Sequence, residues 1–338
     1  MSPDATLVAL LDDAVAQAIV PGGQLVVVDG GEVVLRHPFG TLTHDGAPVS
    51  HETTYDVASL TKAVVTTSIV AHLVAAGRLG WDTSVAERLP YVAHRDIRVA
   101  DLLAHASGLP AWRPFYERAS RRDDFPRLAA AESLEAPPGT RSVYSDLGFM
   151  LLGALCEEIG GDRLDHLAAR LIFDPLGMIA SRFVDLGAGE RLVTAAPTEL
   201  CPRRGLVVGE VHDDNCHAAG GILGHAGLFS TADDLARFAI AACAGRAFPT
   251  ERLWSPANVP GSTWCLGWDR PSPGPSQAGT HWPRTGVGHL GFTGCSLWID
   301  PPRARACVFL TNRVHPSRAD DRIKQLRPAV HDLVWQLL

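Results

Sequence analysis

Only two of the 30 basic residues in this chain are lysines, Lys62 and Lys324; the rest are arginines. Lys62 follows Ser59 by three positions, a spacing that sets both side chains on one face of a helix. Burial and a helix N-terminus both disfavour a charged amine, so Lys62 is expected to be neutral enough to take a serine proton. Arginine could not serve there, because it does not deprotonate in proteins. Ser59 is therefore a candidate nucleophile and Lys62 its candidate base.

A second group is Tyr144-Ser145-Asp146, placed just after the Pro137-Pro138-Gly139 turn. A tyrosine hydroxyl near a lysine can relay a proton to a leaving group. The third group is His289-Leu290-Gly291, where Gly291 would let the backbone approach a bound carbonyl closely. The Phe292 amide, with that of Ser59, could then form an oxyanion hole. Each group has a plain structural alternative: a chance Ser-x-x-Lys, a tyrosine packed at a helix start, and a structural loop histidine.

Taken in chain order, Ser-x-x-Lys opening a buried helix, Tyr-Ser-Asp in a helical middle and His-x-Gly before a terminal strand form one constellation. It resembles the serine β-lactamase and penicillin-binding-protein superfamily, and most closely the class C β-lactamase-related branch of esterases and D-stereospecific peptidases. The phrases Ala58-Ser-Leu-Thr-Lys62, Leu103-Ala-His-Ala-Ser-Gly-Leu-Pro110, Gly224-His-Ala-Gly-Leu-Phe-Ser-Thr231 and Leu310-Thr-Asn-Arg313 extend the resemblance over nearly the whole chain. It implies that Ser59 is acylated, that Lys62 is its base and that Tyr144 shuttles protons. It also implies that the Ser59 and Phe292 amides hold the oxyanion, with Asp146, His289 and Gly291 on the substrate side.

Two departures bear on substrate. His289-Leu290 stands where β-lactam-active members commonly carry Lys-Thr, and Asp146 where the family more often has asparagine. A histidine of ordinary pKa is mostly neutral at pH 7, and an ionised aspartate cannot donate to a substrate carbonyl. Both changes weaken the case for β-lactams or D-Ala-D-Ala termini and favour a small ester or amide. A β-lactamase or D-Ala-D-Ala carboxypeptidase-like activity, or a non-catalytic binding protein on the same fold, are the alternatives.

The elements that must position these residues follow from the pattern. An amphipathic helix opens the chain, and Gln24–Val28 and Glu32–Leu35 flank Asp29-Gly-Gly31 as a hairpin. Ala58 to Leu79 is apolar on most sides and reads as a central buried helix. Helical pieces broken by loops follow from Trp81 to about Gly224, one of them from Gly148 to Ile159. Another helix starts near Ser230-Thr-Ala-Asp. Strand periodicity returns at Cys295–Ile299 and Ala306–Leu310, joined by Pro301-Pro302, before a last helix from about Asp320 to Leu338. The predicted fold is α/β: an antiparallel sheet built from both termini and flanked by helices, with a largely helical insertion. One domain over 1–338 is expected, its α/β part about 1–80 and 225–338 and its helical part about 81–224. The proline-rich stretch Arg270 to Arg284 is the best candidate for a mobile surface loop.

Composition removes other classes. The 338 residues carry a net charge of -7, which argues against nucleic-acid binding. No apolar run reaches the length of a membrane span, and the acidic start does not read as a signal peptide, so a cytoplasmic protein is expected. Seven cysteines without paired spacing read as buried hydrophobes rather than a disulfide framework. Gly286-Val-Gly-His-Leu-Gly291 has no strand predicted before it and no helix after it, so no dinucleotide cofactor is expected. Nor is any other cofactor. There is no Gly-x-Ser-x-Gly elbow. The run Val211 to His217, with His225, lacks metal-site spacing; it reads as a loop bordering the cleft, and no metal is expected. Trp112, Phe115 and Tyr116 could line a pocket or simply pack, and His105 is expected to brace its turn.

Overall fold

The computed structural model describes residues 4–119, 121–249 and 251–338. Helix α1 (Ala5–Ala16) starts at Asp4, whose carboxylate accepts from the Thr6 amide at 2.8 Å. The predicted hairpin follows as β1 (Gly22–Asp29) and β2 (Glu32–Gly40). The short strand β3 (Tyr55–Asp56) leads to Ser59. Beyond it, a π-helical turn (Lys62–Thr67) runs into α2 (Ser68–Ala75), so the central helix is shorter than the apolar run suggested. Every residue of that π-helical turn is buried.

From the helical middle, α3 (Asp146–Gly160) and α4 (Asp214–Ala218) bear on the site. Then come β4 (Phe229–Ser230), paired with β3, and α5 (Ala232–Cys243), capped by Thr231. The late strands are β5 (Val287–Leu290), β6 (Ser296–Asp300) and β7 (Arg305–Thr311), closed by α6 (Ile323–Leu337). Together with the first hairpin they form a five-stranded antiparallel sheet in the order β2-β1-β7-β6-β5. Both chain ends therefore build it, as the sequence predicts.

The two-residue period of β1 divides the interior. Leu25 and Val27 join Leu7, Leu11, Phe309, Leu326 and Val330 in one core under α1 and α6. Val26 and Val28 face the other core, which holds α2, α3 and α5. The central sheet is thus covered on both faces, which explains its nearly unbroken apolar runs.

Two expectations need correcting. His289 lies on β5, not in a loop, and β5 was hidden because its residues are interleaved with glycines. Gly288 is required there, since a Cβ would stand 2.3 Å from the Trp298 ring. The stretch 270–284 is tied down rather than free. Asp332 of α6 accepts from the amides of Thr280 and His281 at 2.6 and 2.9 Å, and Trp282 is buried.

Candidate active site

Ser59 stands at the turn between β3 and the central helix. Ala58, just before it, has a left-handed backbone with φ 49°, a conformation costing a non-glycine residue on the order of 1 kcal/mol. Buried Asp56 holds this turn: its carboxylate accepts from the Ala58 amide at 2.8 Å and from the His212 amide at 2.6 Å. Lys62 follows, wholly buried, and its Nζ donates to Ser59 Oγ at 2.8 Å and to the His225 carbonyl at 3.0 Å. The same Nζ lies 2.7 Å from Asp146 Oδ1.

That carboxylate overturns the expectation of a neutral lysine at rest. Burial does push the amine down, but the charge of Asp146 and contact with Tyr144 outweigh it and leave Lys62 above its ordinary value. Tyr144 touches both Lys62 and Ser59 through its hydroxyl, and desolvation raises its own pKa. The resting site is thus an ammonium, a carboxylate and an unionised phenol around one serine.

Tyr144 and Asp146 are placed by the start of α3. Ser145 caps that helix and donates to the Pro110 carbonyl at 2.7 Å. His105 accepts the Ser145 amide on Nδ1 at 3.0 Å, and its ring centroid is 4.5 Å from that of Tyr144. His105 braces the turn, as expected.

On the opposite wall, His289 Nδ1 donates to the Leu290 carbonyl at 2.9 Å, which leaves Nε2 as a buried acceptor without a protein partner among the described residues. Burial, reinforced by the Lys62 charge, takes this imidazole down to about 3. It is neutral at physiological pH and offers no cation. Gly291 closes against the nucleophile turn, where a Cβ would meet the Val57 carbonyl at 2.5 Å. Neither the Ser59 nor the Phe292 amide donates to a protein acceptor among the described residues.

A cleft of about 780 Å³ joins these groups, lined by Ser59, Tyr144, Asp146, His289, Gly291 and Phe292. Of the candidate catalytic and oxyanion residues, only Lys62 is not at its surface; it lies in the floor beneath. His212, Asp213, Asp214 and His225 line it too, so the Val211–His225 run does border the cleft. Trp112 reaches the cleft, whereas Phe115 is in the core and Tyr116 packs against Trp112 and Arg203.

Sequence reasoning missed Asp56 and the cleft-lining Arg313, Arg327 and Trp264, whose ring packs beside Tyr144 and His289, and gave Asp213 and His225 no specific role. Asp213 accepts from His225 Nε2 at 2.9 Å and from the Cys216 amide at 2.7 Å. Burial opposes its charge, but His225, the Cys216 amide and Lys62 hold its carboxyl well below the usual range. Asp146, Asp213 and His225 offer ligand atoms within 4.8 Å of one another. Lys62 Nζ stands 2.7 Å from Asp146 Oδ1, and Asp213 and His225 are bonded to each other, so a side-chain cation already occupies this cluster.

Comparison with known proteins bears directly on this arrangement. The family model described as Beta-lactamase matches residues 7–330. The chain belongs to the beta-lactamase family. It is a serine hydrolase of that family, and its sheet and helices have the β-lactamase/transpeptidase fold. An N-acetylmuramyl-L-alanine amidase of Bacillus subtilis (strain 168) is 30% identical, covering 87% of this chain and 78% of that protein. A protein of Escherichia coli (strain K12), provisionally named a D-alanyl-D-alanine carboxypeptidase, is 28% identical over 89% of this chain and 80% of its own length. Among solved structures, EstCE1, a hydrolase with promiscuous acyltransferase activity, superposes with a TM-score of 0.76. It is 20% identical, covering 96% of this chain and 97% of that one. Among the described residues, no helix is long and apolar enough to cross a membrane.

Proposed function

We propose that this serine hydrolase cleaves a small ester or amide through an acyl-enzyme on Ser59. The observation that carries the reading is Lys62 Nζ held 2.8 Å from Ser59 Oγ at the base of the cleft. Lys62 releases its ammonium proton to solvent, at higher pH or as substrate binds, and this deprotonation readies the site. The free amine then takes the Ser59 proton as Oγ attacks the carbonyl. The oxyanion forms between the amides of Ser59 and Phe292, and Tyr144 passes the proton to the departing alcohol or amine. Water, activated by the same groups in reverse, releases the acid. Asp146 sets the charge state of Lys62, and Asp213 with His225 supports the loop whose carbonyl holds Nζ.

The neutral His289 supports a substrate without a carboxylate at that wall. The name of the Bacillus subtilis relative, an amidase, favours an amide. Carboxypeptidase-like cleavage ranks second. Its support is the cations that line the cleft; Arg318 is bound to Glu199 and Lys324 to Asp321, while Arg313 and Arg327 hold backbone carbonyls of the loop after β5. Turnover of short-chain p-nitrophenyl esters tests the main reading. The parent is expected to hydrolyse them and Ser59→Ala to lose at least ~1000-fold in kcat; full activity in that variant refutes the assignment.

A further inference from the structure

Two buried guanidinium groups grip the carbonyls of the loop that carries the Phe292 amide. From α6, Arg327 donates through Nη2 to the Gly291 carbonyl at 2.6 Å and the Cys295 carbonyl at 3.1 Å, and through Nε to the Gly294 carbonyl at 3.1 Å. From the segment after β7, Arg313 donates through Nε to the Phe292 carbonyl at 3.0 Å. Among the described residues Arg327 has no carboxylate partner, whereas Asp320, Asp321 and Glu199 act on Arg313 through their charge. Burying an uncompensated cation is costly, and a protein retains one where its charge is used.

The Gly291 carbonyl belongs to the same peptide unit as the Phe292 N–H. It accepts from Arg327 and also from the Gly294 amide at 3.1 Å. A charge-assisted bond to a carbonyl draws electron density toward the oxygen and makes the N–H of that peptide a stronger donor. We propose that Arg327 is a positioning residue that orients and polarises the Gly291–Phe292 peptide toward the oxyanion, with Arg313 fixing the next carbonyl. Burial lowers Arg327 only to about 10, so it remains charged at neutral pH. This inference rests on the proposed oxyanion role of the Phe292 amide.

The test uses the full chain and an ester carrying a 13C-labelled acyl carbonyl. Intact mass first establishes the acyl-enzyme, and infrared spectroscopy then reads its carbonyl stretch in the parent, Arg327→Gln and Arg327→Lys. In Arg327→Gln the stretch is expected to move to higher frequency and kcat to fall about 10-fold or more, with KM within about twofold. Arg327→Lys, which keeps the cation, is expected to recover most of both. An unmoved stretch and unchanged kcat in folded Arg327→Gln overturn the proposal while leaving the acyl-enzyme reading intact. If the glutamine variant does not fold, Arg327→Lys decides: a parent-like stretch supports the role of charge, and a full upward shift overturns it. Absence of any acyl-enzyme in the parent refutes the proposed function and this inference with it.

Discussion

Lys62 and Asp146 form the pair on which the chemistry turns. The carboxylate 2.7 Å away keeps the amine charged at rest, so the enzyme needs a higher pH, or a bound substrate, to free the base. Asparagine at position 146 removes the charge that raises the Lys62 pKa. The neutral amine is then available at lower pH. The rising limb of the kcat/KM against pH profile is therefore expected to move down by about one unit or more in Asp146→Asn. A limb that stays in place, or moves up, counts against Asp146 as the group that sets this pKa. Ser59, Lys62 and Tyr144 were legible because their residue types are rare or specifically spaced. The raised pKa was not, because it depends on a contact between residues 84 positions apart.

Elements bring these residues to bonding distance, and one close junction is between the nucleophile turn and the loop after β5. A Cβ at Gly291 would stand 2.5 Å from the Val57 carbonyl, so Gly291→Ala must push that loop away from Ser59. The variant is expected to lose about 1–3 kcal/mol of stability, measured by urea unfolding. Its kcat is expected to fall roughly 10-fold or more through misplacement of the Phe292 amide. Parent-like values of both would mean that the contact is slack. The hairpin, β6, β7 and the terminal helices could be read from apolar period and turn residues. β5 could not, because Gly286, Gly288 and Gly291 dilute its pattern; its pairing with β6 and the cover of Trp298 supply what local preference lacks. Asp56, Arg313 and Arg327 were illegible for a similar reason, since the backbone groups that give them a role lie 156, 21 and 36 positions away.

Across the whole molecule, a partly buried network of ion pairs joins the cleft wall to the segment after β7. Glu199 binds Arg318 and His212 together, and His212 Nε2 lies 3.0 Å from its carboxylate. Burial opposes the Glu199 charge, but His212 and Arg318 prevail and hold its folded pKa far below the ordinary value. A depressed acid stabilises the fold above its unfolded pKa, about 4.3, and that contribution is lost as pH falls toward the folded value. Glu199→Gln is therefore expected to cost on the order of 2 kcal/mol at pH 7. The gap from the parent should narrow below pH 4 in denaturation curves; a pH-independent gap would assign the loss to packing instead.

The central claim is covalent, and peptide mass spectrometry tests it most directly. The protein is mixed with a panel of an ester, a penicillin and a D-amino-acid amide, quenched in acid and digested. An adduct of the acyl group's mass on the peptide containing Ser59, formed from the ester or amide and absent in Ser59→Ala, is the expected result. No adduct from any member of the panel, or one that persists in Ser59→Ala, would contradict it.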